Sequence, residues 1–174
     1  VAAMSSVCLV VVARADSGWS SIKDIEARVG DKPLIAGVTI GGARHMGLIK
    51  AAQLGGFNIR PVQVGGASDA YAALLGGQSD LLITAPVSAK GYVYDKDGNT
   101  LEEQEATPLP YLGADSHPSS PDVEGMKDVG SDETLCIPNL VFAPKDTPDE
   151  IVAKMAAALE VSYGQEGGLK EFFG

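Results

Sequence analysis

The sequence predicts an α/β fold in which parallel strands alternate with helices. Three observations carry this. Short apolar runs rich in Val, Ile and Leu recur between amphipathic stretches, Gly pairs close the helical stretches, and the order reads β-α-β-α-β-α-β through Thr84. With 174 residues, 45% of them hydrophobic, the chain can bury a real core.

In chain order, Val7–Arg14 is an apolar strand. Ser20 is the expected N-cap of a short helix that buries Ile22, Ile25 and Val29 and ends at Gly30. Leu34–Thr39 is a strand, and Ala43–Leu54 a helix stopped by Gly55-Gly56. Ile59–Val64 is a strand, Ser68–Leu75 a helix closed by Gly76-Gly77, and Leu81–Thr84 a strand. The pattern then breaks. Residues 95 to 133 hold 11 of the 23 acids and only Lys96 and Lys127, which predicts mostly solvated loop. "DKDG" at 95–98 suits a hairpin turn, and Pro110–Ala114 suits a strand. Leu135–Ala143 is a last strand, interrupted by Pro138. Thr147 as N-cap, Pro148 at N1 and Glu150 in a capping box start the clearest helix. Gly167–Phe173 reads as a final short helix.

Composition narrows the function. A net charge of −10 argues against nucleic acid and anionic membrane surfaces. The two cysteines, Cys8 and Cys136, lack CxxC spacing, so no Cys-only zinc site exists and one disulfide is possible; both also sit in apolar runs, where a free buried thiol is common. The two histidines have no HExxH context. No metal and no cofactor are expected. Neither a dinucleotide fingerprint nor a phosphate-loop motif is present. Ser68 lacks a nucleophile elbow.

What remains is a set of strand ends. The strand at 34–39 runs into Gly41-Gly42, the strand at 59–64 into Gly65-Gly66-Ala67-Ser68, and the strand at 81–84 into Ala85-Pro86. Ligands of open parallel sheets sit beyond the carboxyl ends of the strands. Two helices start there with bare N–H groups, and glycine lets a ligand approach the backbone. Either loop alone also fits a plain tight turn; the two together favour an anion such as a carboxylate or phosphate. The ligand-binding candidates are Thr39, Gly41, Gly42, Ala43, His45, Gly65, Gly66, Ala67, Ser68, Thr84 and Ala85. His45, three residues after Gly42, is more often a cap than a catalyst. It is nonetheless the one candidate base for an alternative, an α/β enzyme acting on a phosphorylated or carboxylated small molecule.

Five segments in order, "VVVARADSGWSSIKDIEARV", "GGARH", "GGASDAYAALLGGQSDLLITAP", "SHPSSPDVEGMKDVG" and "NLVFAPKDTPDEIVAKMAAALE", resemble the substrate-binding receptors of tripartite tricarboxylate transporters, the TctC or Bug family. Gly66 to Asp80, Pro121-Asp122-Val123 with Gly130, and Ala143-Pro144 with Thr147-Pro148 fit successive family blocks. Val64 stands where the family carries Tyr, Thr84-Ala85 where an acid or amide is frequent, and "YVYDKDGNTLEEQEA" is an insertion. An amino-group ligand is therefore disfavoured.

The resemblance implies a two-lobed, type II periplasmic-binding-protein-like receptor, extracytoplasmic (periplasmic or lipid-anchored at the cell surface). It would bind a small organic acid, hand it to membrane transporter subunits, and do no chemistry. It further implies that the N-terminal part of lobe one is lacking. Residues 1–16 would be a crossover strand from lobe one, 17–114 lobe two, 115–134 an acidic return linker and 135–174 the return to lobe one. Cys8 and Cys136 would lie on crossing strands that run side by side, where an extracytoplasmic protein permits a disulfide. Leu135–Phe142 and the helix face Ile151–Leu159 would be left as an apolar surface. The expectation is a portion of a longer ordered protein, or self-association through the last forty residues.

Overall fold

A computed structural model of the chain describes residues 1–30, 32–89, 91–93, 97, 101, 105–117, 122–165 and 168. Two compact units result: Cys8–Cys136 forms one, and Val1–Val7 with Ile137–Gly174 the other.

The larger unit holds a five-stranded sheet. Its strands are β2 (Val10–Arg14), β3 (Leu34–Val38), β4 (Ile59–Gln63), β5 (Leu81–Thr84) and β6 (Ala106–Tyr111), in the spatial order β4-β3-β5-β2-β6. β3 runs parallel to β4 and to β5. The all-parallel arrangement expected from the element order is corrected at β2, which pairs antiparallel with both β5 and β6. A repeating β-α-β order fixes that strands alternate with helices but not the direction in which the first strand enters. Here β2 enters between β5 and β6, one strand in from the edge, with Val10, Val11, Val12 and Ala13 all buried.

The predicted strand Val7–Arg14 is in fact two strands. β1 (Ala2–Cys8) pairs with β7 (Cys136–Val141) in a separate two-stranded sheet, and Leu9 breaks the run. Leu9 is buried, and its carbonyl accepts from Leu112 N. β6 begins and ends earlier than the predicted Pro110–Ala114. Its Pro108 and Pro110 are tolerated because β6 is an edge strand with a register shift opposite Val10–Val12. Cys8 and Cys136, left open by the sequence, form a disulfide.

The helices follow the periodicity, with shifts at the caps. α1 (Ile22–Val29) buries Ile22 and Ile25 and is followed by Gly30 at φ +56°. Its cap is Ser21, not Ser20: the Ser21 Oγ accepts from Lys23 N at 3.2 Å. Asp24 completes the box by accepting from Ser20 N and Ser21 N at 3.0 and 2.9 Å. α2 (Ala43–Gly55) and α3 (Ala67–Leu75) match the periodicity closely, and a short α4 (Pro86–Ala89) follows β5. Asp80 staples the far edge of the sheet: its Oδ2 accepts from Ile35 N at 2.8 Å, and its own N–H donates to Ile35 O at 2.7 Å.

Residues 122–130 depart from the solvated loop the composition predicts. Val123, Met126 and Val129 are buried, and Met126 N donates to Gly113 O. The "DKDG" turn and the helix at Gly167–Phe173 lie outside the described residues.

In the smaller unit, β1 and β7 are joined by the Asn139 Nδ2 to Ser5 Oγ bond at 2.8 Å. α5 (Asp149–Gly164) starts at Asp149 with Pro148 as its cap residue and no side-chain cap bond, so the Thr147–Glu150 box does not form. Pro148 is extended, and its carbonyl already accepts from Ile151 and Val152. α5 has no buried residue, and Leu140, Phe142, Ile151 and Met155 are exposed.

Candidate functional site

β3, β4 and β5 are parallel, so their carboxyl ends share one edge of the sheet, and the Gly-rich turns and the Thr84-Ala85 end gather there. Strand register assigns the side chains to faces, because directly paired residues point the same way. Val10 pairs with Thr84 on one side and with Tyr111 on the other. A Cβ placed on Gly37 would meet Val64 Cγ1 at 3.5 Å and Ala70 Cα at 3.7 Å, so Gly37 faces α3. Thr39, two residues on, shares that face. Thr39, Val64, Thr84 and Tyr111 thus lie along the same edge, on the α3 side.

At the end of β3, most backbone donors are already engaged. Ile40 N donates to Gln63 Oε1 at 2.9 Å, and Gln63 Nε2 donates to Val64 O at 2.8 Å. Gly41 N donates to His45 Nδ1 at 3.2 Å, and Gly42 N to Thr39 O at 3.2 Å. The Thr39 hydroxyl points at Val64 O, 3.4 Å away. Gly42 caps α2 without a side chain. Among the described residues, Ala43 N and Arg44 N keep no partner.

At the end of β4, Gly65 N donates to Asp69 Oδ2 at 3.1 Å. Gly66 is the cap residue of α3, again without a side-chain cap bond. The N–H groups of Gly66, Ala67, Ser68 and Asp69 have no partner among the described residues, and Ser68 is exposed. A helix start with unclaimed N–H groups carries positive potential suited to an anion. On β5, Thr84 is 1% exposed, and its Oγ1 has no hydrogen-bond partner, an orphaned donor facing α3. Ala85, beyond it, is half-buried.

The structure therefore brings all eleven predicted residues to one edge and sorts them by availability. Gly41, Gly42 and Gly65 use their own N–H groups internally. His45 is a loop clamp. Accepting from Gly41 N requires Nδ1 unprotonated, so neutral His45 carries its proton on Nε2 and offers a donor there instead of a base. The enzyme alternative loses its only candidate base in this tautomer.

Sequence reasoning missed Gln63, which ties the two loops together, and Tyr111, brought to this edge by the antiparallel β6. No local signal marks either position, since the Ile40 contact of Gln63 and the pairing of Tyr111 with Val10 both join residues remote in sequence. Two clefts lie at the opposite edge of the sheet. One is lined by Arg14, Asp16, Ser17, Trp19 and Asp80, and the other shares Arg14 and Asp16; neither touches a predicted site residue. Arg14 Nε donates to Asp16 Oδ1 at 2.8 Å, and the guanidinium holds the Asp16 carboxyl below its ordinary value.

Residues 1–166 match the family described as the tripartite tricarboxylate transporter family receptor, TctC. The chain belongs to that family. This is a family of solute-binding receptors and not of enzymes. Similar solved structures include an R. palustris protein with adipate (TM-score 0.80, 21% identity, 95% of this chain and 54% of that one). They also include MatC from Rhodopseudomonas palustris with bound malate (0.76, 21%, 95% and 55%) and the periplasmic binding protein BugD (0.76, 21%, 95% and 54%). This receptor chain spans about half the length of those structures, and the likeness establishes a periplasmic-binding-protein fold over that half. No curated protein gives a significant match.

Proposed function

We propose that this receptor chain carries the lobe-two half of an extracytoplasmic site that captures a small organic carboxylate and passes it to the membrane subunits of a tripartite tricarboxylate-type transporter. The observation that carries the reading is the start of α3. There the N–H groups of Gly66, Ala67, Ser68 and Asp69 have no partner among the described residues, Ser68 adds a hydroxyl, and the buried Thr84 hydroxyl at the same edge has none among them either. Neutral donors at a helix terminus bind a carboxylate without a lysine or arginine clamp. Arg44, at the start of α2, is the cation nearest in sequence to these turns. The adipate and malate held by two similar receptors, and the family itself, support the carboxylate class, the extracytoplasmic location and the transporter partner.

A thermal-unfolding screen tests this. Adipate, malate and related acids should stabilise the protein, by about 2.7 kcal/mol at a hundredfold excess over the dissociation constant. Sugars and nucleotides should not. Stabilisation by a nucleotide alone, or by no acid in the panel, would overturn the reading.

A further inference from the structure

We propose that Asp69 is a specificity-determining residue of this site: its carboxylate stands beside the donors that hold the acid, so that the site takes acids with one negative charge in preference to dianions of the same shape. The proposal rests on the carboxylate reading above and adds a residue and a ligand charge to it.

Placement comes from the first turn of α3. Asp69 is the third residue of that helix, and its Oδ2 accepts from Gly65 N at 3.1 Å. The carboxylate thus folds back over the turn. It lies one residue from Gly66 N, the first of the N–H groups without a partner among the described residues. A Cβ added at Gly65 would collide with Asp69 Oδ2, so this close approach requires the glycine. A second feature marks the same place independently of the helix start. The Thr84 hydroxyl is 1% exposed, has no partner among the described residues, and faces α3 from the end of β5.

The charges around these donors do not favour a dianion. Among the side chains of the three turns, at residues 39–45, 63–69 and 84–86, only Arg44 and Asp69 are charged when His45 holds the neutral form described above. Arg44 belongs to α2. Gly47 of that helix lies against Ile83, and Ile83 and Thr84 point to opposite faces of the sheet, so α2 packs on the face away from α3. A helix start carries about half a positive charge, and Asp69 sets a full negative one in the same turn.

Asp69 Oδ2 is 3.1 Å from Gly65 N, and a carboxylate held at about 2.9 Å by the next N–H groups sits roughly 5–8 Å from it. For that first carboxylate, several hydrogen bonds offset the repulsion. The second carboxylate of a short diacid is only two methylenes further on. It meets the same charge without those donors, a few-fold effect on affinity that salt screens.

Calorimetric titration with succinate and with succinamate, its monoamide, tests the proposal, because the two acids differ by one charge and share a shape. Asp69→Asn keeps a side-chain oxygen for Gly65 N and removes only the charge. The parent protein should bind succinamate about fivefold more tightly than succinate. In Asp69→Asn that ratio should fall below twofold, through stronger binding of succinate. In the parent alone, raising the salt from about 0.02 M to about 0.5 M should bring the ratio toward that of the variant. A parent protein that binds succinate as tightly as succinamate, a preference that persists in Asp69→Asn, or one that salt leaves unchanged overturns the proposal and leaves the carboxylate reading standing. A parent protein that binds neither acid overturns that reading and this one with it.

Discussion

At the end of β3, Gly41 and Gly42 give their N–H groups to His45 Nδ1 and the Thr39 carbonyl, and Gln63 closes over Ile40. At the end of β4, Gly65 is engaged in this way by Asp69, and the N–H groups of Gly66 and of the first three residues of α3 have no partner among the described residues. Both turns read alike, as a glycine pair between a strand and a helix. The first is tied down by side chains and leaves Ala43 N and Arg44 N; the second leaves the larger set of donors, which the proposed carboxylate site would use. What separates them is the supply of nearby acceptors. Among the described residues, a histidine and a glutamine side chain reach the first turn, and one carboxylate, Asp69, reaches the second.

The largest effect expected from breaking this contrast is at Gly47, inside α2. A Cβ there would lie 2.5 Å from Ile83 Cδ1, 3.0 Å from Leu135 Cδ2 and 3.3 Å from Leu9 Cδ1. Gly47→Ala gains roughly 0.5–1 kcal/mol of helix propensity but overpacks a contact of a kind that costs about 1–3 kcal/mol. Urea unfolding should show a net loss of about 1–2 kcal/mol. Because α2 carries the rigid corner alone, adipate affinity should change less than twofold. A stabilised variant would show that α2 is not seated as closely on β5 as these contacts require.

Next in size is a matched pair of prolines. Ala43 and Ala67 each open a helix, behind Gly42 (φ −83°, ψ 172°) and Gly66 (φ −179°, ψ −166°). Both preceding residues are extended, so proline fits at either site and removes one N–H without breaking the helix. Ala67→Pro should weaken adipate binding about tenfold, within the range of a hydrogen bond to a charged group. Ala43→Pro should cost less than twofold. The reverse order in a titration would reassign the ligand to the first turn.

The smallest effect concerns hydroxyls. Ser68→Ala should cost about 0.5–1.5 kcal/mol of binding, one ordinary hydrogen bond. Thr39→Val should cost nearly nothing, since that hydroxyl already faces Val64 O. A larger loss from Thr39→Val would mean that its bond is surrendered to the ligand.

Much of the lobe is legible in the sequence because its signals are local. Leu34–Val38, Ile59–Gln63 and Leu81–Thr84 are short apolar runs, and α2 and α3 end at their Gly pairs. Caps were less legible. Ser21 and Ser20 are neighbours, and only the reach of the Asp24 carboxylate decides which one closes α1. Thr147 had the right spacing for a capping box, but the carbonyl of Pro148 took that position first.

The sequence by itself determined the strand and helix order through Thr84, the glycine corners and the receptor family, because periodicity, turn chemistry and motif order are properties of neighbouring residues. Tertiary structure alone decided that β2 runs against its neighbours, that Cys8 meets Cys136 across 128 residues, and that Tyr111 reaches the edge shared by the glycine turns. It also decided which amides stay free. A backbone N–H is claimed by whatever acceptor the fold brings within about 3 Å, and for Ile40 that acceptor, Gln63, lies on the adjacent strand.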